Sequence, residues 1–226
     1  MNHLLPIETN KSTIFTTHQL MDVIKHYFPE LDTRQLSQME TLLRLYPEWN
    51  AKINVISRKD IDNLEVNHIV HSLGLVKFLH FTPGTRVLDL GTGGGFPGIP
   101  LAVYFPEVQF LLVDRIGKKL RVATDVAQQA GLDNVAVQHG DVGEVKGQFD
   151  FVVSRAVMPL ANMEPLVRRL IARTDHNSVP NGLLCLKGGE LTDELQPFKK
   201  QVIVDELSNY FKEPFFTTKK IVYLPL

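Results

Sequence analysis

The chain has 226 residues, 44% hydrophobic and 22% charged, an ordinary globular balance that excludes a disordered, collagenous or coiled-coil protein. At this length one large domain with an appendage, or two small domains, is expected. The formal net charge of -1 gives no global attraction to nucleic acid, so such a partner would have to be held by a local basic patch.

No segment approaches the roughly 18 apolar residues that a membrane span needs. The opening MNHLLPIETNKSTIF lacks a basic stretch followed by a long apolar one. The chain therefore reads as cytoplasmic. Its single cysteine, Cys185, cannot form an internal disulfide, which suits a reducing compartment. The apolar run GLLCLKGG around it marks a buried structural thiol.

In HQLMDVIKHYF, Leu20, Val23, Ile24 and Tyr27 fall on one helical face, and Asp32 or Thr33 is placed to cap the next helix, RQLSQMETLLRLY. A third helix is predicted over IDNLEVNHIVHSLGLVKFL, carrying Ile61, Leu64, Ile69, Leu73 and Val76, with Gly74 weakening its later turns. In FTPGT, Pro83 and Gly84 interrupt the periodicity. The chain thus divides into an N-terminal helical cap, residues 1–82, and a second domain, residues 83–226.

Beyond that point the period changes. TRVLDLG, VQFLLVD, NVAVQHG and FDFVVSRA are short apolar runs, rich in β-branched residues, separated by helical stretches, as in a parallel sheet with crossover helices. GLLCLKGG, KQVIVDEL and KKIVYLPL carry the sheet to the C-terminus.

The stretch VLDLGTGGGFPGIPLAV packs glycines between two apolar runs. A strand ending at Leu90 that turns into a helix through Gly91, Gly93 and Gly95 lets bare backbone approach a ligand and points helix N–H groups at it. Asp114 ends the next apolar run, where a carboxylate can accept hydrogen bonds from ribose hydroxyls. Strand, glycine turn, helix, strand and terminal acid in this order describe a nucleotide-type site. Asp89 would repel a pyrophosphate but suits a cationic ligand such as the sulfonium of S-adenosylmethionine. It can equally organise the loop by accepting backbone N–H groups.

VLDLGTGGGFPGIPLA, LLVDRIGKKLRV and FDFVVSRAV closely resemble the glucose-inhibited division protein B family of small-subunit ribosomal RNA guanine-N7 methyltransferases. WNAKINVIS, NHIVHSL and CLKGG extend the resemblance from about Trp49 to Gly188, and Phe96, Pro97 and Gly98 in the glycine segment are its specific mark. The resemblance implies an α/β class I methyltransferase (Rossmann-like) fold: a mainly parallel seven-stranded sheet behind a helical cap. It implies S-adenosyl-L-methionine as cofactor, held at Gly91, Phe96, Asp114, Val142, Gly143 and Arg155, and a guanine in the 530 loop of 16S ribosomal RNA as target. DVGE departs from the family's pattern after the third strand, moving the acidic position to Asp141 or Glu144; Asp141 stands where many methyltransferases bond the adenine amino group. His71 stands where the family tends to have an aspartate.

Guanine N7 has a free lone pair, so no general base is required and no catalytic dyad is expected. Arg155, at a strand end on the rim, is assigned to the pocket and to positioning of the substrate. Lys118, Lys119 and Arg121 form the candidate contact with ribosomal RNA, with Lys187, Arg168 and Arg169 as additions. His68 and His71 lie three residues apart without a third ligand at metal-binding spacing, so no metal is expected. The partner expected is 16S ribosomal RNA or the small ribosomal subunit, and the working unit a monomer. Two other readings compete: a nicotinamide-dependent oxidoreductase, and a non-catalytic RNA-binding assembly factor on the same fold.

Overall fold

The computed structural model describes residues 21–155 and 157–226, so Leu20 lies outside the described residues. Seven strands form one sheet in the order β3-β2-β1-β4-β5-β7-β6. They are β1 (Arg86–Leu90), β2 (Gln109–Asp114), β3 (Val135–His139), β4 (Phe151–Arg155), β5 (Gly182–Gly188), β6 (Ile203–Glu206) and β7 (Lys219–Pro225). The first five pair in parallel, and β7 inserts antiparallel between β5 and β6. The mainly parallel α/β sheet read from the sequence is the sheet observed.

The helices are α1 (Asp22–Tyr27), α2 (Thr33–Asn50), α3 (His71–Phe78), α4 (Gly98–Tyr104), α5 (Gly117–Gln129), α6 (Leu160–Val167) and α7 (Thr192–Leu195). Alternation along each strand builds two cores. Val87 faces the core formed with α1 to α5, whereas Leu88 and Leu90 face the core formed with α6 and α7. The helical segment before β1 shares its core with the sheet, for Met21, Ile24 and Tyr46 belong to the same buried cluster as Ile99 and Tyr223. Among the described residues no helix is long and apolar enough to cross a membrane.

The start of α2 follows the sequence closely. The Asp32 side chain accepts the Gln35 N–H at 2.8 Å, and the Gln35 side chain accepts the Asp32 N–H at 3.0 Å, a reciprocal cap. In WNAKINVIS, the Asn50 side-chain oxygen accepts the Val55 and Ile56 N–H groups, each at 2.9 Å, and its amide donates to the Ile56 carbonyl. A loop that the sequence marks only as a motif is thereby closed by one side chain.

The single helix predicted from Ile61 is replaced by three pieces: a 3-10 turn at Ile61–Asn63, a π-helix at Glu65–Val70, and α3. The π-helix has a wider turn than periodicity analysis assumes. Within it Glu65 is buried, and its Oε1 accepts the N–H groups of Val23 and Ile24 at 3.0 Å each, closing the N-terminus of α1. Gly74 lets Leu207 pack closely, since a Cβ there would lie 3.0 Å from Leu207 Cδ2.

Burial raises the Glu65 carboxyl to about 7, opposed by its two backbone hydrogen bonds. The folded state therefore holds the proton more tightly than the unfolded chain, and stability from this group is lost as pH rises from about 4.5 to about 7. Glu65→Gln keeps the accepting oxygen without the charge, so its stability should not show this fall. Glu65→Ala leaves two helix-terminal donors unmatched and should cost about 1–3 kcal/mol. Thermal unfolding of the three proteins from pH 4 to 8 tests both statements; parallel pH curves for wild type and Glu65→Gln would refute the first.

Candidate functional site

The site begins where β1 ends. The N–H groups of Gly91 and Thr92 both donate to the Val113 carbonyl, at 2.9 and 3.1 Å, so the turn stays attached to β2. Gly91 has φ +71° and runs so close to Val157 that a Cβ would sit 2.4 Å from its Cγ2. Gly93 also has positive φ, +57°, but a Cβ there would meet only Lys119 Cδ, at 3.9 Å. Gly91 is glycine because of the protein around it, whereas Gly93 faces open space. Gly95 is buried, and the Tyr46 hydroxyl donates to the carbonyl of Gly94 at 2.9 Å.

Asp89 lies beneath this turn with no solvent exposure. Its Oδ2 accepts the Thr92 hydroxyl at 2.6 Å and the Gly98 N–H, at the start of α4, at 2.8 Å. Burial pushes its carboxyl up to about 7. The carboxylate considered for a cationic ligand thus serves as the internal fastener of the loop.

Asp114 stands at the tip of β2, half-buried. Its Oδ2 accepts the Gly93 N–H and its Oδ1 the Ile116 N–H, both at 2.8 Å. It is therefore held beside the open face of Gly93, each oxygen keeping a free lone pair. After β3, Asp141 accepts the Gly143 N–H at 2.8 Å, Glu144 caps the Asp141 N–H in return, and Arg115 pairs with Asp141. Val142 is buried, while Gly143 is exposed beside it.

Arg155, at the tip of β4, lies under the cap. Its guanidinium stacks over Phe96, 4.9 Å from the ring centroid, and one Nη donates to His68 Nδ1 at 3.1 Å. Burial lowers the arginine to about 10, opposed by Asp89, Tyr46 and Asp60. Burial, reinforced by Arg155, lowers His68 to about 3, so its ring is a neutral acceptor. Phe96, expected at the cofactor, is buried between Tyr46, His68 and Arg155, with ring centroids 4.5 Å from Tyr46 and 5.3 Å from His68. Beyond Arg155, over the tips of β4 and β5, opens a cavity of about 300 Å³.

The basic residues separate into two groups. Lys118 and Arg121 are exposed and Lys119 is half-buried, all at the start of α5 next to the glycine turn. The others are committed within the fold. Lys187 pairs with Glu194 at 2.7 Å and donates to the Met158 carbonyl at 3.0 Å. Arg169 donates to the carbonyls of Val142, Gly143 and Val145, bracing the loop after β3. Arg168 pairs with Glu164. Cys185 is buried, 3.8 Å from the Met163 sulfur, and burial raises its thiol to about 12, in keeping with a structural role.

Sequence reading missed the contribution of the cap. Tyr46 anchors the turn, and the Trp49 indole N–H donates to Asp125 on α5 at 2.7 Å. Asp60 and Asn67, joined at 3.3 Å, line the cavity. The polar interruptions inside the predicted third helix were the available signal.

A family model described as GidB, rRNA small subunit methyltransferase G, matches residues 35–222. A ribosomal RNA small subunit methyltransferase G of Parabacteroides distasonis is 54% identical over 221 residues, covering 98% of this chain and 96% of its own length. One of Bacteroides thetaiotaomicron is 57% identical over 203 residues, covering 90% and 98%. Among solved structures, a precorrin-6y C5,15-methyltransferase from Geobacter metallireducens has TM-score 0.53 at 14% identity, over 70% of this chain and 87% of its own. This last likeness is one of fold. On the extent of the family match and the identity of these relatives, the chain belongs to the rRNA small subunit methyltransferase G family of S-adenosylmethionine-dependent enzymes.

Proposed function

We propose that the chain methylates N7 of a guanine in the 530 loop of 16S ribosomal RNA, working in the cytoplasm as a single chain. The observation that carries this reading is the juxtaposition of an open glycine turn, fastened to the Asp114 carboxylate, with a half-buried cation at the next strand tip. Asp114 is placed to accept ribose hydroxyls, Gly93 leaves room for the ligand, and Asp141, Val142 and Gly143 border the adenine end. All these groups come from one chain.

S-adenosylmethionine supplies an electrophilic methyl on a sulfonium. Transfer of that methyl to the guanine N7 lone pair would leave the positive charge on the purine ring and the adenosyl group as a neutral thioether, S-adenosylhomocysteine. The reaction as proposed requires no proton transfer. The chain's task is alignment, from which about 7–11 kcal/mol of barrier reduction is available. Arg155, fixed between Phe96 and His68, is placed to orient the base. Lys118, Lys119 and Arg121 are the cations available to a phosphate track beside the turn.

Gly93→Val should abolish S-adenosylmethionine binding by filling the open space at the turn. Gly84 has a comparable φ of +83° with nothing within 4 Å of a Cβ and lies away from the site, so Gly84→Val controls for backbone strain. Asp114→Asn should weaken the cofactor by about 1–3 kcal/mol. Calorimetric titration measures all three; equal affinity in Gly93→Val and Gly84→Val would remove the turn from the site.

Arg155→Lys keeps a charge but loses the planar stack. It should lower tritiated-methyl turnover on undermethylated small subunits at least tenfold while changing cofactor affinity far less. Replacing Lys118, Lys119 and Arg121 by alanine should instead weaken RNA binding and flatten its salt dependence, by about 0.7–0.9 in log-log slope for each phosphate no longer neutralised. Wild-type turnover in the first variant, or an unaltered slope in the second, refutes the corresponding role.

A further inference from the structure

We propose that Asp125 is a positioning residue for the cofactor: by holding Trp49 it fixes the last turn of α2, which shapes the glycine turn from above. The inference rests on the cofactor lying at that turn, as read above, and gives a role to two groups outside it.

The end of α2 is weakly held by the helix itself. Pro47 lies inside it and has no N–H to give to the Leu43 carbonyl, so the last turn lacks one rung, and that turn carries no basic side chain to support the helix end. Yet it makes the contacts that press on the site. Tyr46 donates its hydroxyl to the Gly94 carbonyl at 2.9 Å, and Asn50 closes the loop whose Val55 would lie 3.0 Å from a Cβ on Gly94. From the other side, Asp114 at the tip of β2 holds the Gly93 N–H at 2.8 Å. The glycine turn is therefore set between two bodies, α2 on one side and β2 with α5 on the other. Their mutual placement decides its shape.

Side-chain hydrogen bonds pin α2 to α5 at two levels. At the far level Gln38 donates to the carbonyl of Ala130, just past the end of α5, at 3.0 Å, and Gln38 and Arg34 each reach the Gly131 carbonyl at 3.5 Å. At the near level the Trp49 indole N–H donates to Asp125 Oδ2 at 2.7 Å, and Gln129 donates to the same oxygen at 2.6 Å. Lys52 lies over the Trp49 ring, 5.3 Å from its centroid. Among the described residues, no other side-chain hydrogen bond joins the last turn of α2 to α5.

The shared core holds the two helices together, since Leu42 and Tyr46 of α2 and Leu120 and Val126 of α5 belong to one buried cluster. Apolar contact is non-directional, so it does not fix how far the last turn slides. A bond from an indole N–H to a carboxylate is directional and does. Without it the end of α2 shifts about the far pins, and its contacts on Gly94 shift with it. The glycine turn then takes its binding shape only when the ligand imposes it, and the cost of that ordering appears as lost affinity. Gln38 provides the comparison with a bond that serves the fold alone: both levels stabilise the protein, but only the near one adjoins the turn.

Calorimetric titration of the whole chain with S-adenosylmethionine, at a temperature where every variant is folded, provides the test. Trp49→Phe keeps the ring and loses the donor, whereas Asp125→Ala loses the acceptor. Each should raise the dissociation constant by about three- to tenfold, a part of the worth of a hydrogen bond to a charged group. The double variant should be no weaker than the weaker single one, because both remove the same bond. Asp125→Asn keeps an accepting oxygen and should restore most of the affinity. Gln38→Ala should lower the unfolding temperature and leave cofactor affinity at the wild-type value. In methyl transfer to undermethylated small subunits, the KM for the cofactor should rise in Trp49→Phe with kcat nearly unchanged, since bound cofactor restores the turn. Wild-type affinity in Trp49→Phe and Asp125→Ala, or an equal loss in Gln38→Ala, overturns this assignment alone. Wild-type affinity in Gly93→Val removes the cofactor from the turn and this assignment with it.

Discussion

The carboxylate of Asp89 is the constraint from which the site is built. Alternation along β1 directs it into a buried face where an apolar side chain would be ordinary, at a desolvation cost that its raised pKa records. Two short hydrogen bonds, from Thr92 and from the first residue of α4, offset that cost and fix the turn between strand and helix. Gly98 belongs to the same device, because a Cβ there would lie 2.6 Å from Oδ2. Once the two ends of the turn are fastened, Gly93 has its N–H directed at Asp114 and its open side directed outward. The backbone is thus shaped before any ligand arrives.

The cap completes the site from above. Tyr46 bonds the Gly94 carbonyl, and a Cβ on Gly94 would lie 3.0 Å from Val55, so the turn is compressed between the sheet and the loop closed by Asn50. The cap also provides His68 and encloses Phe96. Helices outside the sheet therefore contribute both rigidity and chemistry, and they do so through a continuous hydrophobic core.

Much of this was legible in the sequence because it rests on local rules. The β-branched runs gave the strands, the acid before the glycines gave the turn's fastener as one of two roles, and Asp32 announced its helix by capping chemistry. What escaped has a common physical cause. A π-helix is invisible to a 3.6-residue period, so the segment from Glu65 to Val70 read as ordinary helix although its width presents Asn67 and His68 to one cavity. Lys187 and Arg169 read as free cations because their partners, Glu194 and the carbonyls after β3, become neighbours only through the fold. Antiparallel insertion of β7 between β5 and β6 is likewise a tertiary choice that no local pattern encodes.

The strand order gives the chemistry its geometry. With β1 flanked by β2 on one side and β4 on the other, the switch point of the sheet separates the groups at the tips of β1, β2 and β3 from those at the tips of β4 and β5. Phe96, Arg155 and His68 occupy that seam. In the proposed reaction a positive charge would pass across this seam and none would be created, so added cations there would oppose it. Burial holds His68 and His71 toward the neutral form, and Asp89, Tyr46 and Asp60 favour the charged form of Arg155. A rigid boundary of this kind would suffice for the proposed reaction, which requires alignment and no proton transfer.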